Sequence, residues 1–235
     1  MAYAVAIAHS LGIGIAVPYR NRPPGINRIA IRQTVRQRPG LLIILIRRSL
    51  MSLFKIHTIE QAPAESRPLL TGAHQKFGFV PNLLGELAEA PATLEAYLTL
   101  NSIFDKTSLS PVERQIVLIA ASIENDCTYC VAAHSIMAKN MIKADARIIN
   151  ALREQDPIPD DKLQTLAEFT RSVIENRGFI DEQALSAFTA AGYSNRHILE
   201  VILGVTMKTL SNYANHVMDT PLDDEFKAEE WSKDN

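Results

Sequence analysis

Between Ser110 and Asp126 the alternation of apolar and polar positions is at its most regular. Val112, Ile116, Ile119 and Ile123 recur at helical spacing and form one stripe, and the polar cluster Glu124, Asn125, Asp126 ends it. The start is written as clearly: Ser110 as N-cap, Pro111 at the first helical position and Glu113 at the third, where it closes a capping box. Glu113 therefore reads as a capping residue rather than a catalytic acid. Similar patterns predict helices over 62–76, 82–89, 91–104, 111–124, 127–141, 144–153, 160–176, 181–190 and 195–217. Pro81, Pro91, Pro111, Pro157, Pro159, Gly178 and Gly192 stand at the joints, where helices begin or stop. No run of alternating β-branched residues predicts a sheet, so the expected class is all-α. The tail from Asp219 to Asn235, acidic and carrying Trp231, is expected to pack as an irregular strap or to fray.

Composition breaks near residue 50. The first 50 residues hold eight arginines and no lysine, aspartate or glutamate, whereas residues 51–235 hold 16 basic and 26 acidic residues. Residues 1–50 read as a disordered or artefactual extension ahead of a start at Met51, with an arginine-rich, acid-free transit peptide as the alternative. The apolar stretch from Ala2 to Val17 has no basic residue ahead of it and is interrupted by His9 and Ser10, which makes a poor secretory signal. It is also shorter than the ~20 apolar residues a membrane helix needs, and Leu41 to Ile46 is shorter still, so no membrane span is expected. Residues 51–235 are enough for one domain with its own core. Their acidic balance, without a basic stripe and interleaved aromatics, argues against nucleic acid. No glycine-rich phosphate loop is present, so neither flavin nor nicotinamide is implied.

The chain has two cysteines, and both lie in one CxxC, Cys127-Thr128-Tyr129-Cys130. Asn125 or Asp126 is expected to cap a second helix. Cys127 would then lie in its first turn, where unpaired N–H groups and the helix dipole favour a thiolate; such placement can take a thiol from about 8.5 to roughly 3.5–7.5. The two cysteines share a helix face and can close a disulfide. His134 lies one turn beyond Cys130 on the same face, where its ring can exchange a proton with that sulfur. Asp126, adjoining Cys127, would oppose a thiolate there, which suits a resolving thiol better than an attacking one. Two other readings stay open: buried structural thiols, and a zinc site using Cys127, Cys130 and His134. The second wants a fourth ligand, and His57, His74, His197 and His216 lie far off in sequence. Two thiols spaced for turnover rather than for stapling distant segments fit a reducing compartment. The cytoplasm is the expected location, or an organelle if residues 1–50 are a transit peptide.

The stretch LSPVERQIVLIAASIENDCTYCVAAH, Leu109 to His134, resembles the core motif of the AhpD-like alkylhydroperoxidases in the carboxymuconolactone decarboxylase superfamily. FGFVPNLL, Phe77 to Leu84, and the segment from Ala191 to Leu222 with AGYS, LEV, LSNYANH and TPLD are similar to its peroxidase-related members. The resemblance covers nearly all of residues 51–235, and Met51 onward resembles the usual start of such proteins. It implies an AhpD-like helical domain acting as a thiol peroxidase, with no metal or prosthetic group. Cys130 would attack the peroxide, Cys127 would resolve the sulfenic acid to a disulfide, and His134 would serve a proton relay. It further implies a thioredoxin-like or lipoyl-bearing dithiol reductant and a homo-oligomer, a trimer or hexamer.

One departure from the family pattern stands out. The relay glutamate expected twelve residues before the first cysteine is Gln115 here. Glutamine can hold a water but cannot accept a proton near neutral pH. Glu124, three residues before Cys127, is a candidate substitute carboxylate, or else a solvated charge at a helix end. Glu200, Asn212 and Asn215 repeat the spacing of Gln115, Cys127 and Cys130, a hint of pseudo-symmetric packing of two helical halves, with no chemistry assigned to Glu200 or His216. Two rival functions remain: a redox-sensing or disulfide-exchanging binding protein, and a decarboxylase or lactone-processing enzyme of the same superfamily, whose members do not depend on a CxxC.

Overall fold

The computed structural model describes residues 54–233, so the expectations for residues 1–50 lie outside the described residues. Within them the chain is all-α. Its helices are α1 (Arg67–Phe77), α2 (Asn82–Leu87), α3 (Pro91–Phe104), α4 (Pro111–Glu124), α5 (Thr128–Ile136), α6 (Ala146–Glu154), α7 (Asp161–Glu175), α8 (Glu182–Ala190) and α9 (Asn195–Met218). None of the helices among the described residues is long and apolar enough to cross a membrane.

Two boundaries differ from the sequence reading by more than two residues. The first helix begins at Arg67 instead of 62, because residues 59–66 fold as successive turns. That entry is pinned by the Ser66 hydroxyl donating to the Ala88 carbonyl (2.8 Å) and Arg67 Nε donating to the Ala62 carbonyl (3.0 Å). The helix expected over 127–141 is regular only to Ile136, and Met137–Met141 continues it as a wider π-helical turn.

Helix α4 is the hub, packed by α5, α6, α7 and α9. Its start is the capping box expected from Ser110 and Glu113, with Ser110 N–H donating to Glu113 Oε2 at 2.8 Å and Glu113 N–H to Ser110 Oγ at 3.2 Å. Its far half, Ile116 to Ile123, is buried on all sides, as befits a helix enclosed by others. Its large apolar residues belong to the larger of two apolar clusters, where Phe169 stacks on Phe188 at 4.0 Å and Phe188 on Tyr193 at 4.5 Å between ring centroids. The smaller cluster is built from residues that include Leu70, Leu84, Leu94, Tyr129, Phe226 and the two cysteines.

The long helix α9 runs close against α3 and α4. At Gly204 a side-chain Cβ would fall 2.7 Å from Val117 Cγ1 and 2.9 Å from the Phe104 ring, so only glycine allows that approach. Beyond α9 the tail is an ordered strap to residue 233. Asp223 accepts from the Tyr129 hydroxyl (2.5 Å) and the Asn82 N–H (3.0 Å), a 3₁₀ turn follows over Asp224–Glu229, and Trp231 Nε1 donates to the Arg153 carbonyl at 3.0 Å.

Candidate active site

The CxxC sits at a sharp reversal between α4 and α5. Asn125 ends α4, Asp126 turns the chain with φ at +55°, and the Cys127 N–H closes the turn on the Ser122 carbonyl at 2.8 Å. The N-cap of α5 is therefore Cys127 itself, not Asn125 or Asp126 as the sequence suggested. Asp126 is not free to cap: its backbone is left-handed and its carboxylate pairs with Lys233 at 2.7 Å. Cys130, not Cys127, consequently occupies the first turn, where the unpaired amides favour negative charge.

Both thiols are free and buried, yet they differ in access. Cys130 lines a cavity of about 570 Å³ together with Leu84, Tyr97, Leu118 and His134, and the exposed Lys76 and Asp105 stand among its outer lining. Cys127 lies behind this wall. Helix α9 reaches both sulfurs: Asn215 Nδ2 donates to Cys130 Sγ at 3.1 Å and approaches Cys127 Sγ at 3.6 Å. The carbonyl oxygen of the same Asn215 amide is buried and has no hydrogen-bond partner.

Two turns of α9 before Asn215 lies Lys208, a fully buried lysine that also lines the cavity. Its ammonium is 3.1 Å from His134 Nε2, and His134 Nδ1 is 3.1 Å from Gln115 Oε1. Lysine can only donate, so Nε2 accepts, Nδ1 carries the ring proton, and Gln115 presents its oxygen to it. The chain Lys208, His134, Gln115 thus has a single polarity. It also means that His134 spends both ring nitrogens on Gln115 and Lys208 and reaches the sulfur through the lysine, not directly as its spacing suggested.

The electrostatics separate the thiols. Burial pushes the Cys130 thiol up, but the hydrogen bond with Cys127 and the charge of Lys208 outweigh it and hold the thiol below its ordinary value. Cys127 is pushed far up by that same hydrogen bond, by burial and by the negative Cys130 beside it. Lys208 is held protonated: burial alone would lower it, and the Cys130 charge raises it. Burial and the Lys208 charge keep His134 neutral, well below the usual histidine range. The low thiol is thus Cys130, and what keeps the proton on Cys127 is its hydrogen bond with Cys130, burial and the Cys130 charge, not Asp126 as the sequence suggested.

Of the residues singled out from sequence, the structure brings Cys127, Cys130, His134 and Gln115 together. It does not bring Glu124 to them. The reversal at Asp126 turns that side chain away, toward Glu175, Arg171 and Lys233; burial and Glu175 raise its carboxyl. Glu113 caps α4 and also ties α7 and Tyr193 to it, accepting from Lys162 (3.0 Å) and the Tyr193 hydroxyl (3.0 Å). Glu200 accepts from the Ser108 N–H and hydroxyl and from Arg196, and His216 lies exposed beside Tyr213. The two segments of the faint repeat are built differently: Glu200 to Asn215 is one unbroken helix, whereas Gln115 to Cys130 crosses the reversal. No group of three or more histidine, cysteine or acidic side chains able to hold a metal forms among the described residues.

Lys208 and Asn215 were not recognised from sequence as site residues. The signal was present in the phase of α9: Val201, Gly204, Lys208, Ser211, Asn215 and Met218 recur every three or four residues and are all buried. A lysine on that stripe is a lysine in the core.

The all-helical scaffold has known structural relatives. Residues 88–172 match the carboxymuconolactone decarboxylase family. An uncharacterized peroxidase-related protein from Ralstonia eutropha JMP134, described as an alkylhydroperoxidase AhpD core, superposes with a TM-score of 0.66 at 21% identity, over 74% of this chain and 93% of that one. A second uncharacterized peroxidase-related protein, from Silicibacter sp. TM1040, gives 0.63 at 19% identity, over 72% and 90%. The debrominase Bmp8, as an alanine variant in complex with 2,3,4-tribromopyrrole, gives 0.61 at 16% identity, over 71% and 89%. No curated protein shows significant sequence similarity to the chain. The fold is the AhpD-like fold. Within that fold, residues 88–172 carry the match to the carboxymuconolactone decarboxylase family.

Proposed function

We propose that this protein is a CxxC-dependent thiol peroxidase that reduces hydrogen peroxide or an organic hydroperoxide with electrons from a dithiol partner. The observation that carries the reading is the inequality of the two thiols: Cys130 on the cavity wall with its thiolate favoured, Cys127 behind it with its thiol favoured. The Cys130 thiolate attacks one peroxide oxygen; an S–O bond forms, the O–O bond breaks, and the leaving oxygen departs as alkoxide or hydroxide to be protonated. The Cys127 thiol then condenses with the Cys130 sulfenic acid, a disulfide forms and water leaves. A dithiol donor, thioredoxin-like or lipoyl-bearing, restores both thiols by exchange. The peroxidase-related relatives support this chemistry, while the debrominase shows that the fold hosts other reactions.

Steady-state consumption of hydrogen peroxide and of an alkyl hydroperoxide, with dithiothreitol, a thioredoxin and a lipoyl domain as donors, tests the reading. Repeated turnover that vanishes in Cys130→Ser is expected. A single oxidation per chain, with no turnover under any donor, would instead favour the redox-sensing binding protein. Turnover of a lactone or β-keto acid that survives Cys130→Ser would favour a decarboxylase-like enzyme.

A further inference from the structure

We propose that Lys208 is the counter-ion of the Cys130 thiolate and the acid that protonates the leaving oxygen; the second half of this assignment rests on the peroxidase reading. The argument begins with burial. An ammonium enclosed by protein is tolerated when an anion and hydrogen bonds compensate it. Lys208 is fully buried, and its hydrogen bond to neutral His134 supplies no charge. The buried carboxylates of the described residues are engaged elsewhere: Glu86 with Thr220, Glu113 with Ser110, Tyr193 and Lys162, Glu200 with Ser108 and Arg196, Asp223 with Tyr129 and Asn82. The titratable groups that face Lys208 are Cys130, Cys127 and His134 from α5 and Tyr97 from α3. The Tyr97 phenol is pushed up by burial and stays neutral, and Cys127 keeps its proton. Cys130 is the anion that remains.

Lys208 hydrogen-bonds the Cys130 sulfur, so the same placement puts a proton donor at the reacting atom. As the Cys130 thiolate takes one peroxide oxygen, the other leaves with the electron pair of the O–O bond and takes a proton from the Lys208 ammonium. Sulfenic acid, alcohol and a neutral lysine amine result. Cys127 then displaces hydroxide from the Cys130 sulfur, its thiol proton going to that hydroxide as water. No anion is left in the site, and the lysine is now the neutral amine that burial favours. Reduction by the dithiol donor regenerates a Cys130 thiol, whose proton returns to Lys208. His134 is a positioning residue in this scheme: its Nε2 aims the ammonium, and Gln115 fixes the tautomer that leaves Nε2 free to accept.

The test reads the ion pair separately from catalysis. The thiolate of Cys130 is followed by ultraviolet absorbance and by pH-dependent alkylation, with mass spectrometry to assign the cysteine, in wild type, Lys208→Met and Lys208→Arg. In the wild type the thiolate is expected to form below the ordinary thiol range of about 8.5. In Lys208→Met its midpoint should rise by at least about one unit, and peroxide turnover should fall by about 10²-fold or more. Lys208→Arg should keep the low midpoint and still lose turnover, because a guanidinium does not release its proton. Should either variant misfold, nitrogen NMR of the Lys208 side chain in the wild-type protein decides: a charged amine in the reduced form and a neutral one in the disulfide form are expected. An unmoved midpoint in folded Lys208→Met, or a lysine whose charge ignores oxidation, would overturn the counter-ion assignment. A shifted midpoint in a protein that never turns over peroxide would keep the ion pair and remove the acid step along with the peroxidase reading.

Discussion

The two apolar clusters have been treated very differently. The larger one is closed: three aromatic rings stack at 4.0 and 4.5 Å, and its rim carboxylate Glu113 has partners on both oxygens. The smaller one holds a cavity of about 570 Å³, a fully buried ammonium, two free thiols and an amide oxygen with no partner. An unsatisfied buried polar group costs roughly 1–3 kcal/mol, and a buried charge costs more unless it is paired. A chain that packs one side to saturation and leaves the other frustrated shows where its chemistry lies. The saturated packing and the frustrated polar groups are kept in different clusters.

That separation can be broken from either side. The largest effect is expected at Cys130: Cys130→Ser should abolish peroxide turnover, with circular dichroism and the urea midpoint close to wild type. Cys127→Ser should still let Cys130 oxidise once, to a sulfenic acid that a dimedone-type probe traps for mass spectrometry, and should block disulfide turnover. Trapping at Cys127 in the Cys130→Ser protein, with none at Cys130 in the converse, would reverse the roles. On the closed side, Phe188→Ala should cost about 3–5 kcal/mol in urea unfolding, since it opens a cavity in a stacked aromatic core. The Cys130 titration should not move in that variant; if it does, the two clusters are coupled through α4.

Smaller effects sharpen the comparison within the site. His134→Ala removes the group that aims the Lys208 ammonium and should lower turnover by about 10²-fold, whereas Glu124→Gln should change it by less than about 2-fold. Gln115→Glu places a carboxylate on His134 Nδ1, which makes the imidazole more basic and able to relay a proton from Lys208. Turnover should rise, though by less than His134→Ala loses, because the new charge must be buried. Unchanged or reduced rates in a folded Gln115→Glu protein would remove position 115 from the proton route.

The smallest effect belongs to the closed side and is read in pH. Burial would raise the Glu113 carboxyl, but the Ser110 backbone and side chain, Lys162 and Tyr193 overrule it and bring it down to about 2 from an ordinary 4.5. A carboxyl depressed in the folded state adds stability that is fully present above its unfolded value and is lost as pH falls through its folded one. Urea midpoints should therefore decline between about pH 4.5 and 2, and Glu113→Gln should flatten that decline.

Much of this was legible in the sequence where local signals decide. The capping box of Ser110 and Glu113, the stripe Val112 to Ile123 and the prolines at helix starts placed α3, α4, α7 and α9 within a residue or two of where they lie. Three features were not legible, each because a tertiary contact overrides a local rule. Asp126 looks like a cap, but the reversal needs its left-handed backbone and Lys233 takes its carboxylate. Glu124 is near Cys127 in sequence, and that reversal parts them. Lys208 has the look of any solvated helix lysine until the phase of α9 is known, and that phase depends on which neighbours the helix meets.

What sets that phase is Gly204. The missing Cβ lets α9 lie against Phe104 and Val117, and from that contact point Lys208 is one turn away and Asn215 three. The glycine is far from any reacting atom, yet it acts as the fulcrum for every group that α9 contributes. A methyl group there would lift the helix by tenths of an ångström and swing the ammonium and the amide off the sulfurs together. The geometry of the thiol site is thus vulnerable at a position with no chemistry of its own, and a survey of tolerated substitutions would find α9 more intolerant at its one buried glycine than along its exposed face.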